Sequence, residues 1–132
     1  MNINNISSFA AYDLLLEDHN NSILIDVRTS KEWQEIGVPK LEKNNLTLLS
    51  WRLLPNMIIN KEFENKFVSL INDKMYFIFF LCRRGIRSLE AARFAMNIIS
   101  LDHINYYNIY DGFEGNVNGA GWKQNNLPWQ IL

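Results

Sequence analysis

A single cysteine, Cys82, is all that 132 residues supply, which rules out an internal disulfide and any zinc site built from several cysteines. One free thiol suits a reducing compartment, so the expected location is cytoplasmic. The chain does not open on a basic segment followed by an apolar run, and no signal peptide is expected. Its longest apolar run, Met75 to Cys82, falls far short of the ~20 residues that a membrane-spanning helix needs. Charge of one sign is also missing. A net charge of -1 leaves no electrostatic footprint for nucleic acid or an anionic membrane. Any cation that matters must therefore act locally. Asparagine is abundant but scattered, and it marks no low-complexity tract.

What remains is an ordinary globular composition, 48% hydrophobic and 20% charged, long enough for one domain with a real core. The expectation is one domain over residues 1–132 with its core at about 8–129, without internal repeat or linker. Three segments read as buried strands: Ser22 to Val27, Met75 to Leu81 and Ile104 to Ile109. The first two are continuous apolar runs, as parallel strands covered on both faces require. Ser7 or Ser8 can cap a helix over Phe9 to Glu17, with Phe9, Tyr12 and Leu16 on one face. Lys61 to Asn72 sets Phe63, Phe67, Leu70 and Ile71 at helical spacing. Ser88 to Ile99 is Ala-rich and free of breakers. Leu46 to Trp51 allows a further short strand, and Pro39 and Pro55 mark turns on either side. Strands alternating with helices predict βαβ units and a mostly parallel sheet, an α/β fold. Residues 111–132 hold four of the six glycines and two of the four tryptophans, and they read as an irregular wrap anchored by aromatics.

The chemistry is concentrated in Leu81-Cys82-Arg83-Arg84-Gly85-Ile86-Arg87-Ser88. A cysteine stands where a buried strand ends, and a loop with one glycine curls into a helix. In open α/β sheets, ligands bind at the C-terminal ends of strands. A helix start points several backbone N–H groups at one spot and adds positive potential there. Arg83, Arg84 and Arg87 bring cationic charge to the same loop. These features favour the thiolate, which is the nucleophilic form of cysteine. No histidine lies in the loop, so activation by amides and arginines is more economical than a Cys-His dyad. The plainer alternative is a small buried hydrophobe at a strand end. Three arginines and a glycine within five residues of Cys82 have no packing purpose that would explain them.

The stretch Cys82-Arg83-Arg84-Gly85-Ile86-Arg87-Ser88 resembles the C-x-x-G-x-R-S active-site loop of the rhodanese family. Asp26-Val27-Arg28 followed by Glu32-Trp33 is similar to that family's first signature. Asp111-Gly112-Phe113-Glu114-Gly115, Gly121-Trp122 and Leu127-Pro128-Trp129 resemble its C-terminal ending. The resemblance runs from about residue 20 to residue 129. It implies a three-layer fold, a five-stranded parallel sheet with helices on both faces, and a ping-pong sulfurtransferase. In that reading Cys82 carries sulfane sulfur as a persulfide. Arg83, Arg84, Gly85, Ile86, Arg87 and Ser88 bind the donor, Asp26 and Arg28 brace the loop, and no metal or cofactor is needed. The donor is a small anion such as thiosulfate or a protein persulfide; the acceptor is cyanide or a thiol. Glu32, Trp33, Trp122 and Trp129 are expected to be structural.

One departure stands out: Gly37-Val38-Pro39 occupies the place of a glycine-histidine-isoleucine-proline turn found in many rhodaneses. Three rival readings share the loop. Related phosphatases place an arginine six residues after the cysteine, whereas here Arg87 follows Cys82 by five, a cradle sized for one sulfur. A non-catalytic binding module and a redox sensor passing through a sulfenic acid are the others. The sensor would need a resolving thiol from outside the chain.

Overall fold

The computed structural model describes residues 2–132. In chain order the elements are β1 (Asn4–Ile6), α1 (Ser8–Glu17), β2 (Ser22–Asp26), α2 (Ser30–Ile36), β3 (Val38–Pro39), β4 (Leu46–Leu48), β5 (Arg52–Leu53) and β6 (Ile58–Ile59). There follow α3 (Phe63–Leu70), β7 (Phe77–Leu81), α4 (Ile86–Ile98), β8 (Asn105–Ile109), α5 (Gly121–Gln124) and β9 (Trp129–Gln130).

The two apolar runs become the centre of a five-stranded sheet, ordered β1-β8-β7-β2-β4, with every pairing parallel. Period-two alternation then sorts their side chains onto two faces. Ile23, Ile25, Val27, Ile78, Phe80 and Cys82 point to one side and pack with Phe63 and Phe67 of α3 and Ala91, Ala92 and Ala95 of α4. Leu24, Phe79 and Leu81 point to the other and meet Ala11 and Leu15 of α1, Phe113, and Trp122 of α5. Strands covered on both faces can be apolar throughout, which is why these two do not alternate in sequence. The α/β architecture, with a parallel five-stranded sheet and helices on both sides, is the one expected.

Local details agree in part and differ in part. Ser7 caps α1, its hydroxyl accepting from the Ala10 N–H at 3.1 Å. The buried face of that helix is Ser8, Ala11 and Leu15, while Phe9 and Leu16 are exposed. Apolar residues surround this helix nearly completely, so spacing alone cannot choose the stripe; close approach to the sheet favours the smaller side chains. The N-terminal β1 has no signature in the sequence, because three residues carry no pattern. Trp122 is wholly buried and donates its indole N–H to the Pro128 carbonyl at 2.7 Å. Trp129, partly exposed, lies against the Lys123 ammonium at 4.0 Å.

Strands β2 and β7 run level, from Ser22 beside Phe77 to Asp26 beside Leu81. The chain leaves β2 toward β4 on one side and leaves β7 toward β8 on the other. Their carboxyl ends thus form the switch point at which open α/β sheets bind ligands.

Candidate active site

Cys82 is the first residue past β7 and is 1% exposed. Its Sγ accepts from the Gly85 N–H at 3.1 Å and lies 3.1 Å from Ser88 Oγ. The loop can close this tightly because Gly85 adopts φ 95°, a left-handed conformation that costs a glycine little. A β-carbon there would stand 2.4 Å from the Tyr110 carbonyl oxygen. On the facing turn, Gly112 at φ 65° would set a β-carbon 2.3 Å from the Arg83 carbonyl. Two glycines therefore let two backbones touch. The contact is fixed by Phe113 N–H donating to the Cys82 carbonyl at 2.8 Å and Glu114 N–H to the Arg83 carbonyl at 3.0 Å. The glycine-rich tail is in this way part of the loop's mould. Asp111 anchors it, accepting from Ser8 N–H at 2.8 Å, Ser8 Oγ at 2.9 Å and Gly121 N–H at 3.0 Å.

The amides of Ile86, Arg87 and Ser88 open α4 and by helix geometry have no intrahelical acceptor. They are donors left over at the N-terminal end of the helix that follows Cys82. The arginines are arranged unequally. Arg87 makes a two-pronged bond to Glu32, 2.8 and 2.9 Å, and Arg83 pairs with Glu114 at 2.9 Å. Among the described residues Arg84 makes no ion pair, and it is exposed. Among the described residues the rim thus carries one arginine without an ion pair and two ion pairs. Ile86 projects into solvent, 73% exposed. Ser88 is buried and sits between Cys82 and Asn108.

Glu32, expected to be structural, joins two elements. Thr29 and Glu32 form a reciprocal capping box at the start of α2, a pattern visible as T-x-x-E. The same carboxylate reaches Arg87. Burial pushes its pKa up, but the Arg87 guanidinium and the Thr29 backbone and hydroxyl hydrogen bonds outweigh this, leaving it at about 2. In return Glu32 raises the Arg87 pKa against its own burial. The loop helix is thereby fastened to the segment that follows β2.

Asp26 and Arg28 are both fully buried and form a pair, with Arg28 Nε on Oδ1 at 3.0 Å and Nη2 on Oδ2 at 2.7 Å. The same Nη2 donates to the Gly37 carbonyl at 2.8 Å. Among the described residues Nη1 has no hydrogen-bond partner. The guanidinium lies over the Phe113 ring, 4.2 Å from its centroid, where the aromatic face offers a second form of cation stabilisation. Since Phe113 carries the bond to the Cys82 carbonyl, the pair touches the loop at one remove.

Among the described residues no cluster of three or more His, Cys, Asp or Glu could hold a metal, and no helix is long and apolar enough to cross a membrane. An open groove of about 950 Å³, lined by Tyr12, Leu15, Lys40 and Pro128 among others, shares no residue with the loop.

No family model matches the chain. A protein of Rickettsia rickettsii, an uncharacterized RP600 homolog, is 53% identical over 99% of this chain and all of its own length. The RP600 protein of Rickettsia prowazekii is 51% identical with the same coverage. Among solved structures, Rv0390 of M. tuberculosis superposes with a TM-score of 0.81 at 29% identity, covering 100% of both chains. The polysulfide-sulfur transferase homodimer of Wolinella succinogenes gives 0.69 at 21% identity over 97% of this chain and 78% of its own. A rhodanese-like domain protein of Staphylococcus aureus gives 0.60 at 18% identity over 86% of this chain and 90% of its own. The fold is rhodanese-like.

Proposed function

We propose that this chain, which belongs to the same family as the rickettsial proteins, is a sulfurtransferase that carries sulfane sulfur as a persulfide on Cys82. The observation that carries the reading is the position of the sulfur, held by the Gly85 N–H at the start of α4 and the C-terminal end of a central strand. The rhodanese-like fold, shared with a protein named as a polysulfide-sulfur transferase, supports it.

With thiosulfate as donor, the Cys82 thiolate attacks the outer sulfur. The sulfur–sulfur bond of the donor breaks, sulfite leaves with the electron pair, and a persulfide anion remains on the protein. The Gly85 amide and the free amides at the start of α4 face this new negative charge, as donors do wherever charge accumulates during a reaction. Cyanide or a thiolate then attacks the terminal sulfur, the persulfide bond breaks, and the Cys82 thiolate returns. Arg84 draws the anionic donor to the rim. The chain supplies no second thiol to these steps, since Cys82 is its one cysteine.

Intact-mass measurement tests the proposal. Incubation with thiosulfate, or with a polysulfide, should add one sulfur atom, and cyanide should remove it. Cys82→Ala should show no adduct. A protein that acquires no sulfur from either donor, or one whose adduct persists in Cys82→Ala, overturns the reading.

A further inference from the structure

Helix α1 meets the sheet through Ser8, Ala11 and Leu15 and leaves Phe9 and Leu16, 59% and 56% exposed, on its outer side. With Tyr12 they stand at i, i+3 and i+7, which makes one apolar stripe along the helix. Beside the stripe runs the open groove of about 950 Å³, lined by Tyr12, Leu15 and Leu16 on the helix, by residues 40–45 across from it, and by Pro128. Charge is sorted across this groove. Asp13 and Glu17 are exposed on the helix, and Lys40 and Lys43 are exposed on the facing segment, with Glu42 between them. Among the described residues none of these five makes an ion pair. Nor do the acids serve their own helix. Asp13 lies in its middle, and Glu17 is its last residue, where negative charge opposes the helix dipole.

We infer that this face binds a second copy of the chain, the Phe9–Leu16 stripe of each subunit lying in the groove of the other. The face is complementary to itself, which is what a two-fold interface requires, since every contact is then made twice. The acids beside one subunit's stripe meet the partner's Lys40 and Lys43, and these two lysines outnumber Glu42 between them. Burial of the stripe supplies the attraction, as exposed apolar patches do at interaction sites. The unpaired charges set orientation and exclude other partners. An anionic bilayer is a poorer occupant, because it would meet Asp13 and Glu17 beside the apolar residues. The groove shares no residue with the Cys82 loop, so the inference stands apart from the sulfur-carrier reading.

Analytical ultracentrifugation of the full chain across the micromolar range reads the assembly directly, and the wild type should form a dimer. Leu16→Asp should weaken dimerisation at least about 100-fold, because a two-fold interface feels the change twice. Charge reversal then identifies the partner. Asp13→Lys with Glu17→Lys, and separately Lys40→Glu with Lys43→Glu, should each weaken the homodimer about tenfold through repulsion at both contacts. Mixed in equal amounts, these two variants should pair with each other as tightly as the wild type does, since opposite charges face one another again. Charges paired within one chain could not be restored by mixing. Circular dichroism of each variant checks the fold. Should Leu16→Asp disturb it, the charge variants, all at exposed positions, still decide. A wild type that stays monomeric, a dimer indifferent to Leu16→Asp in its native fold, or charge variants that do not recover on mixing overturns the inference. Binding of a monomeric wild type to phosphatidylglycerol vesicles would assign the stripe to a membrane and overturn it equally.

Discussion

At the scale of single residues, the proposed reading sets an anionic donor in competition with protein carboxylates for the same guanidinium groups. Arg83 is half exposed and its partner Glu114 a quarter exposed, a setting in which an ion pair contributes only about 0.2–1 kcal/mol. On the proposed reading, a dianionic donor would displace or share that carboxylate. Glu114→Gln removes the competitor and leaves Arg83 in place. It should lower the KM for thiosulfate by about 1.5- to 5-fold, the same energy expressed as a ratio, with kcat nearly unchanged. Steady-state kinetics at two ionic strengths checks this, since screening should shrink the gain. A KM that rises would show that Glu114 organises the loop and does not compete for its arginine. Cys82 and the arginines are legible in the sequence because their types and spacing are unusual. Asn108 is not. It is one asparagine among many in this chain, and only the tertiary register sets it behind Ser88. Glu114 is likewise hidden, being brought to Arg83 by the Gly112 contact and not by proximity in sequence.

At the scale of elements, the long apolar runs are legible because a strand buried on both faces has little freedom of composition. The helices over 63–70 and 86–98 are legible from their spacing and lack of breakers. Two-residue strands such as β3 and β9, paired at Val38–Gln130, have no signature, since a pair of residues has no period. Helix α2 shows its capping box in the sequence, but its seven residues give too little amphipathic pattern to mark a helix. Yet α2 carries the clamp on α4. The Glu32 pKa is lowered from 4.5 to about 2, so its contribution to stability is fully present above pH 4.5 and fades as acid carries the pH toward 2. Glu32→Gln should thus lose about 1–3 kcal/mol near neutrality, and most of the difference from the wild type should vanish at pH 2. Urea denaturation of both proteins across that interval measures it. A deficit that stays constant with pH would assign the loss to the helix cap alone, which the Thr29 hydrogen bonds also serve.

At the scale of the whole molecule, the site exists because remote segments converge on one strand end. The loop follows β7, its mould follows β8, its clamp follows β2, and the buried pair Asp26–Arg28 joins these to the Gly37 carbonyl and the Phe113 ring. Sequence places Asp26 and Arg28 two residues apart at a strand end, but it does not show that both are wholly buried. Removing two charges from water is expensive, and their attraction offsets the cost only when the geometry is good. This pair has three side-chain hydrogen bonds and one from the Arg28 backbone N–H, plus a carbonyl and an aromatic face, so its parts should be strongly coupled. Arg28→Met leaves a buried carboxylate without its cation and should cost about 3–5 kcal/mol, as should Asp26→Asn from the opposite side. The double variant leaves no unpaired charge, so it should be less destabilised than the sum of the two, with a coupling of about 1–3 kcal/mol. Denaturant midpoints of the four proteins give that number. If the pair also braces the loop through Phe113, the double variant should regain stability without regaining sulfur loading, because Phe113 has lost the guanidinium that covers it. Additive losses, or a double variant that loads sulfur as the wild type does, would place Asp26 and Arg28 outside the machinery of the loop.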